Sequence, residues 1–192
     1  MLLTIAPHDT YQLVSHFSLL MIVFITMLSL PPDLCDDHED KIGTGEVRVL
    51  SPIFQSYGKS HVFSGPIVIV KVFEDNTYVR DALEGPGNGQ ILVVDGGGSL
   101  GCALFGGDMA AMAEKNGWKG VIVDGCVRDV DEINECNIGV RALALHPQRS
   151  LKKGVGEKDV VVNIGGVRIC PGEHLYADKD GVIVSKTVLS RS

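Results

Sequence analysis

The sequence predicts an α/β or α+β domain in which sheet and helix stack in layers. Three observations lead there. A strand–helix–strand unit occupies the middle of the chain: QILVVD (90–95), DMAAMAEKNGW (108–118) and GVIVDG (120–125). Its two apolar runs are short and bounded by glycine, so they read as buried strands. On either side, HVFSGPIVIVKVF (61–73) and VVVNIGGVRICPGEHLYADKDGVIVS (160–185) carry β-branched residues between glycine-rich turns, the pattern of flanking antiparallel strands.

The elements follow in order. DLCDDHEDKI (33–42) is expected as a short helix with Asp33 as its cap. The 61–73 strand holds Gly65-Pro66, which predicts an edge or a bulge there. TYVRDALEG (77–85) spaces Val79, Ala82 and Leu83 helically and stops at Gly85-Pro86. DMAAMAEKNGW is alanine-rich, with Asp108 at its start and Gly117 near its end. VDEINEC (130–136) predicts a short helix, and VRALALHP (140–147) is a short apolar stretch. Residues 160–185 predict two or three strands. No repeat or low-complexity tract interrupts the series.

The chain divides into an apolar extension, residues 1–30, and one domain, 31–192. Residues 10–32 contain no Asp, Glu, Lys or Arg, and that run is long enough to span a bilayer, which needs about 20 residues. It reads as a membrane anchor, a helix packed on the domain, or an extension outside the mature protein. The net charge of −7 and the lack of a basic stripe argue against nucleic acid as a partner. The five cysteines include no CxxC pair, which points to free thiols in a reducing, cytoplasmic setting and away from a zinc site. Membrane association through residues 12–30 is the alternative placement.

Gly96, Gly98 and Gly101 spell G-x-G-x-x-G after the 90–95 strand, and Asp124 stands where a ribose-binding acid would. Against a dinucleotide site, Asp95 precedes the first glycine, and the helix signal begins only at Asp108, after Gly106-Gly107. A phosphate needs the helix to open within the glycine motif.

The second glycine pair carries more chemistry. FGGDMAAMA sets a turn at a helix N-terminus, whose first amides lack intrahelical partners and can dock a carboxylate. VDGCVRDVDEI places Arg128 and Asp129 just past a buried strand. Arginine offers a fork matched to carboxylate and aspartate a hard oxygen for Mg²⁺. The competing reading is a surface salt bridge from Arg128 to Asp131 or Glu132. Cys126 is a candidate thiol with only Arg128 nearby to activate it. His174 reads as a packing or capping residue, Asp178 and Asp180 as turn residues, and Glu173 as a contributor to a subunit edge. Trp118 is expected beneath the helix, with Lys115 and Lys119 on its solvent face.

At these residues the sequence resembles the family of 4-hydroxy-4-methyl-2-oxoglutarate aldolases and the regulator of ribonuclease E activity A. PIFQSYG, FSGPIVIVKVFEDN, ILVVDGGGSLGCAL, NGWKGVIVDGCVRDVDEI, IGVRALALHP and GVRICPGEHLYADKDGVIVS carry the match, over about residues 33–186. The resemblance implies a swivelling ββα-type domain with a mixed sheet and flanking helices, assembled as a homotrimer or a hexamer, with active sites between subunits. It implies that Gly106, Gly107, Asp108 and Met109 form a turn whose amides hold a 2-oxo acid. Arg128 then grips that substrate and Asp129 binds a divalent cation, Mg²⁺ or Mn²⁺. The implied reaction is cleavage to pyruvate, with Arg128 and Asp108 as catalytic residues and oxaloacetate decarboxylation as a side activity. Nineteen residues stand between Asp108 and Arg128, one fewer than in the family's pattern, whereas Arg128-Asp129 matches it. The regulator branch commonly lacks the aspartate after the arginine, so Asp129 favours the enzyme. The alternative is a non-catalytic protein that binds and inhibits a ribonuclease. By the same resemblance, GGGSLG is a structural turn.

Overall fold

A computed structural model describes residues 30–190. The apolar extension, up to residue 29, lies outside the described residues. Within them, no helix is long and apolar enough to cross a membrane.

The described residues open with two short helices, α1 (Pro31–Asp37) and α2 (Glu39–Thr44). Asp33 is not the cap: Leu30 takes that place in an extended conformation, and Pro31 and Pro32 start the helix. Proline suits the first turn because its missing N–H would have no partner there. Asp33 sits inside the first turn, where a negative charge meets the positive end of the helix dipole.

Eleven strands follow among the described residues. β1 (Val47–Val49), β2 (Gln55–Tyr57), β3 (Phe63–Lys71), β4 (Ile91–Phe105), β5 (Gly120–Val127), β6 (Gly139–Leu145), β7 (Glu157–Lys158), β10 (His174–Ala177) and β11 (Val182–Ser185) form one nine-stranded sheet. Its order is β1-β11-β10-β3-β4-β5-β6-β2, with β7 also on β3. β3 to β6 are parallel and the flanks antiparallel. β8 (Val162–Ile164) and β9 (Val167–Ile169) make a separate hairpin, so residues 160–185 hold four strands where two or three were expected. The helices α3 (Thr77–Glu84), α4 (Gly107–Lys115) and α5 (Val130–Glu135) are the crossovers between the parallel strands.

Strand alternation assigns each side chain to a layer. Leu92, Val94, Val121 and Val123 pack with Val79 and Leu83 of α3, Ala110 and Ala113 of α4 and Ile133 of α5. The alternate residues Ile91, Val93 and Ile122 pack with Val162, Ile164, Ile169 and Leu175 on the opposite face. The result is a mixed α/β fold of three layers, with the central sheet covered on both sides. That is why its strands read as continuous apolar runs. Each fully buried Val, Leu or Ile contributes about 1.5–3 kcal/mol.

Three local details position these strands. Gly65-Pro66 lies on a one-sided stretch of β3, as the edge reading expects: over Phe63–Pro66 the strand pairs with β10 alone, and β4 joins from Ile67. Gly65 is required because a Cβ there would collide with the Gly89 carbonyl. β4 extends to Phe105, well past Asp95, because the glycine segment leaves the ladder and returns to it, shifting register between Asp95, Ser99 and Ala103. Gly97 and Gly98 turn this excursion at φ 65° and 68°, which side chains resist. Within the chain, Glu173 accepts the Cys170 N–H at 2.9 Å and pairs with Arg48 at 2.8 Å.

Candidate functional site

The glycine motif holds no helix N-terminus. Asp95 Oδ1 accepts the Gly97 N–H at 2.9 Å, and Asp124 lies opposite Asp95 in the β4–β5 register. Burial, then the Asp95 charge, push the Asp124 carboxyl up, while the Gly98 N–H pulls the other way. Asp95 is buried beneath the excursion and Asp124 is half-buried beside it.

The helix begins at the second glycine pair. Gly106 is the cap residue of α4 in an extended conformation. Its carbonyl accepts the N–H groups of Met109 and Ala110, each at 3.0 Å. Met109 is therefore engaged, and its side chain is buried in the core. The Gly107 and Asp108 amides, by contrast, have no partner within the helix.

β5 delivers Arg128 and Asp129 to this point, and the Arg128 N–H donates to the Phe105 carbonyl at 3.0 Å. Asp129 is the cap residue of α5 in the left-handed conformation (φ 57°, ψ 48°), yet its side chain makes no capping bond. Its Oδ2 lies 3.2 Å from Arg128 Nε, and both side chains are about two-fifths exposed. The expected partners Asp131 and Glu132 do not take the guanidinium. A Cβ on Gly106 would come 2.9 Å from Asp129 Oδ2 and 3.3 Å from Arg128 Cγ, and one on Gly107 would collide with the Glu132 carboxylate. The glycine pair thus lets these side chains lie across the start of α4.

A cavity of about 210 Å³ opens here, walled by Gly106, Asp108, Met109, Arg128 and Asp129. All the residues singled out at the site, except Gly107, line it. Asn76 and Arg80 at the start of α3, and Arg149, Ser150 and Lys152 in the loop after β6, also line it, and no motif pointed to them. That loop reaches the site along β4: the Ala103 N–H donates to the Gln148 carbonyl at 2.8 Å and the Ser150 N–H to the Ala103 carbonyl at 3.1 Å. No spacing in the sequence signals such a long-range addition. Four cations, Arg80, Arg128, Arg149 and Lys152, line the cavity with two carboxylates, Asp108 and Asp129; Arg80 also pairs with Glu84 at 3.0 Å, and the remaining excess of positive charge suits an anion.

A divalent cation fits the donor set. No cluster of three or more His, Cys, Asp or Glu residues occurs among the described residues. Asp129 offers a carboxylate released from capping, and Mg²⁺ characteristically takes one or two carboxylates and fills its shell with water and ligand oxygens.

The remaining candidates fall elsewhere. Cys126 is buried and burial pushes its thiol up, against a reactive role. His174 lies in β10 opposite Pro66 and Ser185. Asp178 Oδ1 accepts the N–H groups of Asp180 and Gly181 at 2.8 and 3.1 Å, which makes it a turn residue. Trp118 is buried under α4 and donates to the Gly85 carbonyl at 3.2 Å. Lys115 and Lys119 are exposed.

Comparison with known proteins adds the following. The RraA-like family profile, described as Aldolase/RraA, matches residues 31–184. A protein of Arabidopsis thaliana with the provisional name 4-hydroxy-4-methyl-2-oxoglutarate aldolase 1 is 58% identical over 82% of this chain and 95% of its own. A Burkholderia multivorans protein with the same provisional aldolase name is 59% identical, over 82% and 96%. Among solved structures, a Geobacillus kaustophilus protein described as an S-adenosylmethionine:2-dimethylmenaquinone methyltransferase superposes with TM-score 0.78 at 48% identity, covering 84% and 97%. A Thermus protein described as the RNA-processing inhibitor RraA gives 0.75 at 44%, covering 80% and 94%.

Proposed function

The chain belongs to the RraA-like family, and from that premise we propose that it is a carbon–carbon lyase, a divalent-cation-dependent aldolase. Its substrate is 4-hydroxy-4-methyl-2-oxoglutarate or a similar 4-hydroxy-2-oxo acid, and its product is pyruvate. The aldolase names of relatives more than half identical over nearly their full length support the reaction class. The observation that carries the site is the Asp129 carboxylate, turned away from the helix it should cap and set beside Arg128 over Gly106.

The Arg128 fork and the Gly107 and Asp108 amides receive the 2-oxo carboxylate end of the substrate. Cleavage breaks the C3–C4 bond. The 4-hydroxyl gives up its proton, and the bonding pair passes to C3 and spreads onto the C2 oxygen as an enolate. Arg128 stabilises that developing charge. Asp108, exposed at the cavity, positions the water that takes the proton. Protonation at C3 completes one pyruvate, and the departing carbonyl fragment is the second. Asp129 is the residue to hold Mg²⁺ or Mn²⁺, which when bound supplies a Lewis acid for the keto oxygen and carboxylate. Oxaloacetate loses CO₂ through the same enolate, so decarboxylation is the expected side activity. Lys152 is exposed, whereas a Schiff-base lysine is activated by desolvation.

The protein is expected to work as a homotrimer or a dimer of trimers. Exposed Phe73, Leu100 and Leu151 gather around Glu74 beside the site, an apolar patch suited to a subunit contact. Light scattering after size exclusion tests this.

The second reading is a regulator that binds a ribonuclease, favoured by the Thermus neighbour's description. Asp129 is superfluous to that role. A methyl donor is a poor match for a cavity whose cations outnumber its carboxylates, since its sulfonium is itself cationic. Pyruvate release assayed with Mg²⁺, with chelator and with borohydride separates the cases. The aldolase reading requires turnover that chelation abolishes and no borohydride-trapped adduct. Recovery of a ribonuclease together with no turnover reverses the ranking.

A further inference from the structure

Asp75 lies outside the chemistry, between the two segments that bring extra cations to the cavity. It is 2% exposed. Its Oδ1 accepts the N–H of Thr77, the first residue of α3, at 2.9 Å. Its Oδ2 accepts the N–H groups of Lys153 and Val155 at 2.6 and 3.3 Å. The backbones of Asp75 and Leu151 form a bridge, and the Leu151 N–H donates to the Glu74 carbonyl at 3.1 Å. One buried carboxylate therefore ties the start of α3, which supplies Arg80, to the loop that supplies Arg149 and Lys152.

The bridges to Ala103 and Glu74 hold the loop as far as Leu151, and beyond that residue it has little else to fix it. Residues 152–156 form no regular structure, residues 151–155 are exposed, and Gly154 takes φ 72°. An exposed segment of this kind samples many conformations unless it is anchored, and charge-assisted bonds to main-chain amides are strong anchors. Arg149 and Lys152 have no ion-pair partner among the described residues, so their charge remains available to a ligand. Arg128 and the α4 amides account for one carboxylate. A second carboxylate needs a second group of cations.

We propose that Asp75 is a positioning residue: it pins the 149–155 loop against α3 so that Arg149 and Lys152 receive the second carboxylate of a dianionic 2-oxo acid. Selectivity for dianionic over monoanionic ligands then resides in this loop. The identity of the ligand rests on the aldolase reading; the clamp does not.

Calorimetric titration with Mg²⁺ present, comparing 2-oxoglutarate, an uncleavable dianion, with pyruvate, a monoanion, tests this. Asp75→Asn and the surface double variant Arg149→Met/Lys152→Met should each weaken 2-oxoglutarate by about tenfold or more and leave pyruvate unchanged. Hydrogen exchange over 149–156 should accelerate in Asp75→Asn only. If the double variant weakens both ligands equally, or neither, the proposal is overturned while the aldolase reading stands. If the wild-type protein binds neither ligand, the aldolase reading fails and takes the ligand assignment with it. Should Asp75→Asn not fold, the double variant still decides.

Discussion

Asp129 Oδ2 and Arg128 Nε stand 3.2 Å apart, and Asp129 makes that contact instead of capping α5. A capping aspartate is worth about 1 kcal/mol, and the left-handed backbone at Asp129 is a conformation that only Gly, Asn and Asp enter readily. The chain thus forgoes a local stabilisation to keep a carboxylate at the cavity. Asn tolerates the same backbone but cannot supply the charge. Asp129→Asn should therefore melt within about 0.5 kcal/mol of wild type while turnover falls by about a hundredfold or more. Calorimetry and pyruvate release on the same preparation check this; equal losses of stability and activity would assign Asp129 to the fold.

Arg128 is asked to do what a point charge does poorly. Its fork must meet a carboxylate and a developing enolate together. Arg128→Lys keeps the charge and loses the planar geometry. The expectation is a fall in kcat of roughly 10²–10³-fold, the range for loss of one preorganised donor, or about 3 kcal/mol. Steady-state kinetics with saturating Mg²⁺ measures it, and a change confined to KM would contradict a role in the transition state.

The layered fold was legible because strand burial and strand spelling coincide. Ile91 to Val94 and Val121 to Val123 are all fully buried, so each run shows no polar alternation. Arg128 and Asp129 were legible because they are neighbours in sequence at a strand end. The rest of the cavity was not. Arg149 and Lys152 reach it through main-chain bonds to Ala103 and Asp75, and backbone pairing leaves no mark on residue identity. Arg141 was hidden for a related reason. It sits in an apolar strand, buried, because the carbonyls of Val140, His61 and Asp178 accept its N–H groups, and carbonyls belong to every residue. Asp33 failed as a cap because the proline pair upstream set the helix start first.

The glycine pair offers a matched test of space. A Cβ on Gly107 would meet the Glu132 carboxylate and lie 2.5 Å from Glu132 Cβ, whereas one on Gly43, also in a helix, meets nothing within 4 Å. Gly107→Ala must push α5 off α4 and should cost about 1–3 kcal/mol together with activity, since Asp129 stands immediately before the first turn of α5. Gly43→Ala should instead gain about 0.5–1 kcal/mol with activity unchanged. Paired urea melts and assays test both, and a neutral Gly107→Ala would show that α5 moves freely at the site.

Acid should reach the site through Asp75. Burial pushes its carboxyl up, but the N–H and side chain of Thr77 and the N–H groups of Lys153 and Val155 outweigh that and hold it at about 2, below the usual carboxylate range. A depressed folded-state value means the carboxylate contributes stability above the unfolded value and loses it as pH falls through the folded one. The window is therefore roughly pH 4 to 2, and the contribution at neutral pH is about 2 kcal/mol. Asp75→Asn should be less stable than wild type at pH 7, and the gap should close across that window as wild type binds its proton. Melting temperatures of both proteins measured from pH 7 down to pH 2 give the comparison. A gap that stays constant to pH 2 would mean that the loop is held by its main-chain bridges and not by the charge.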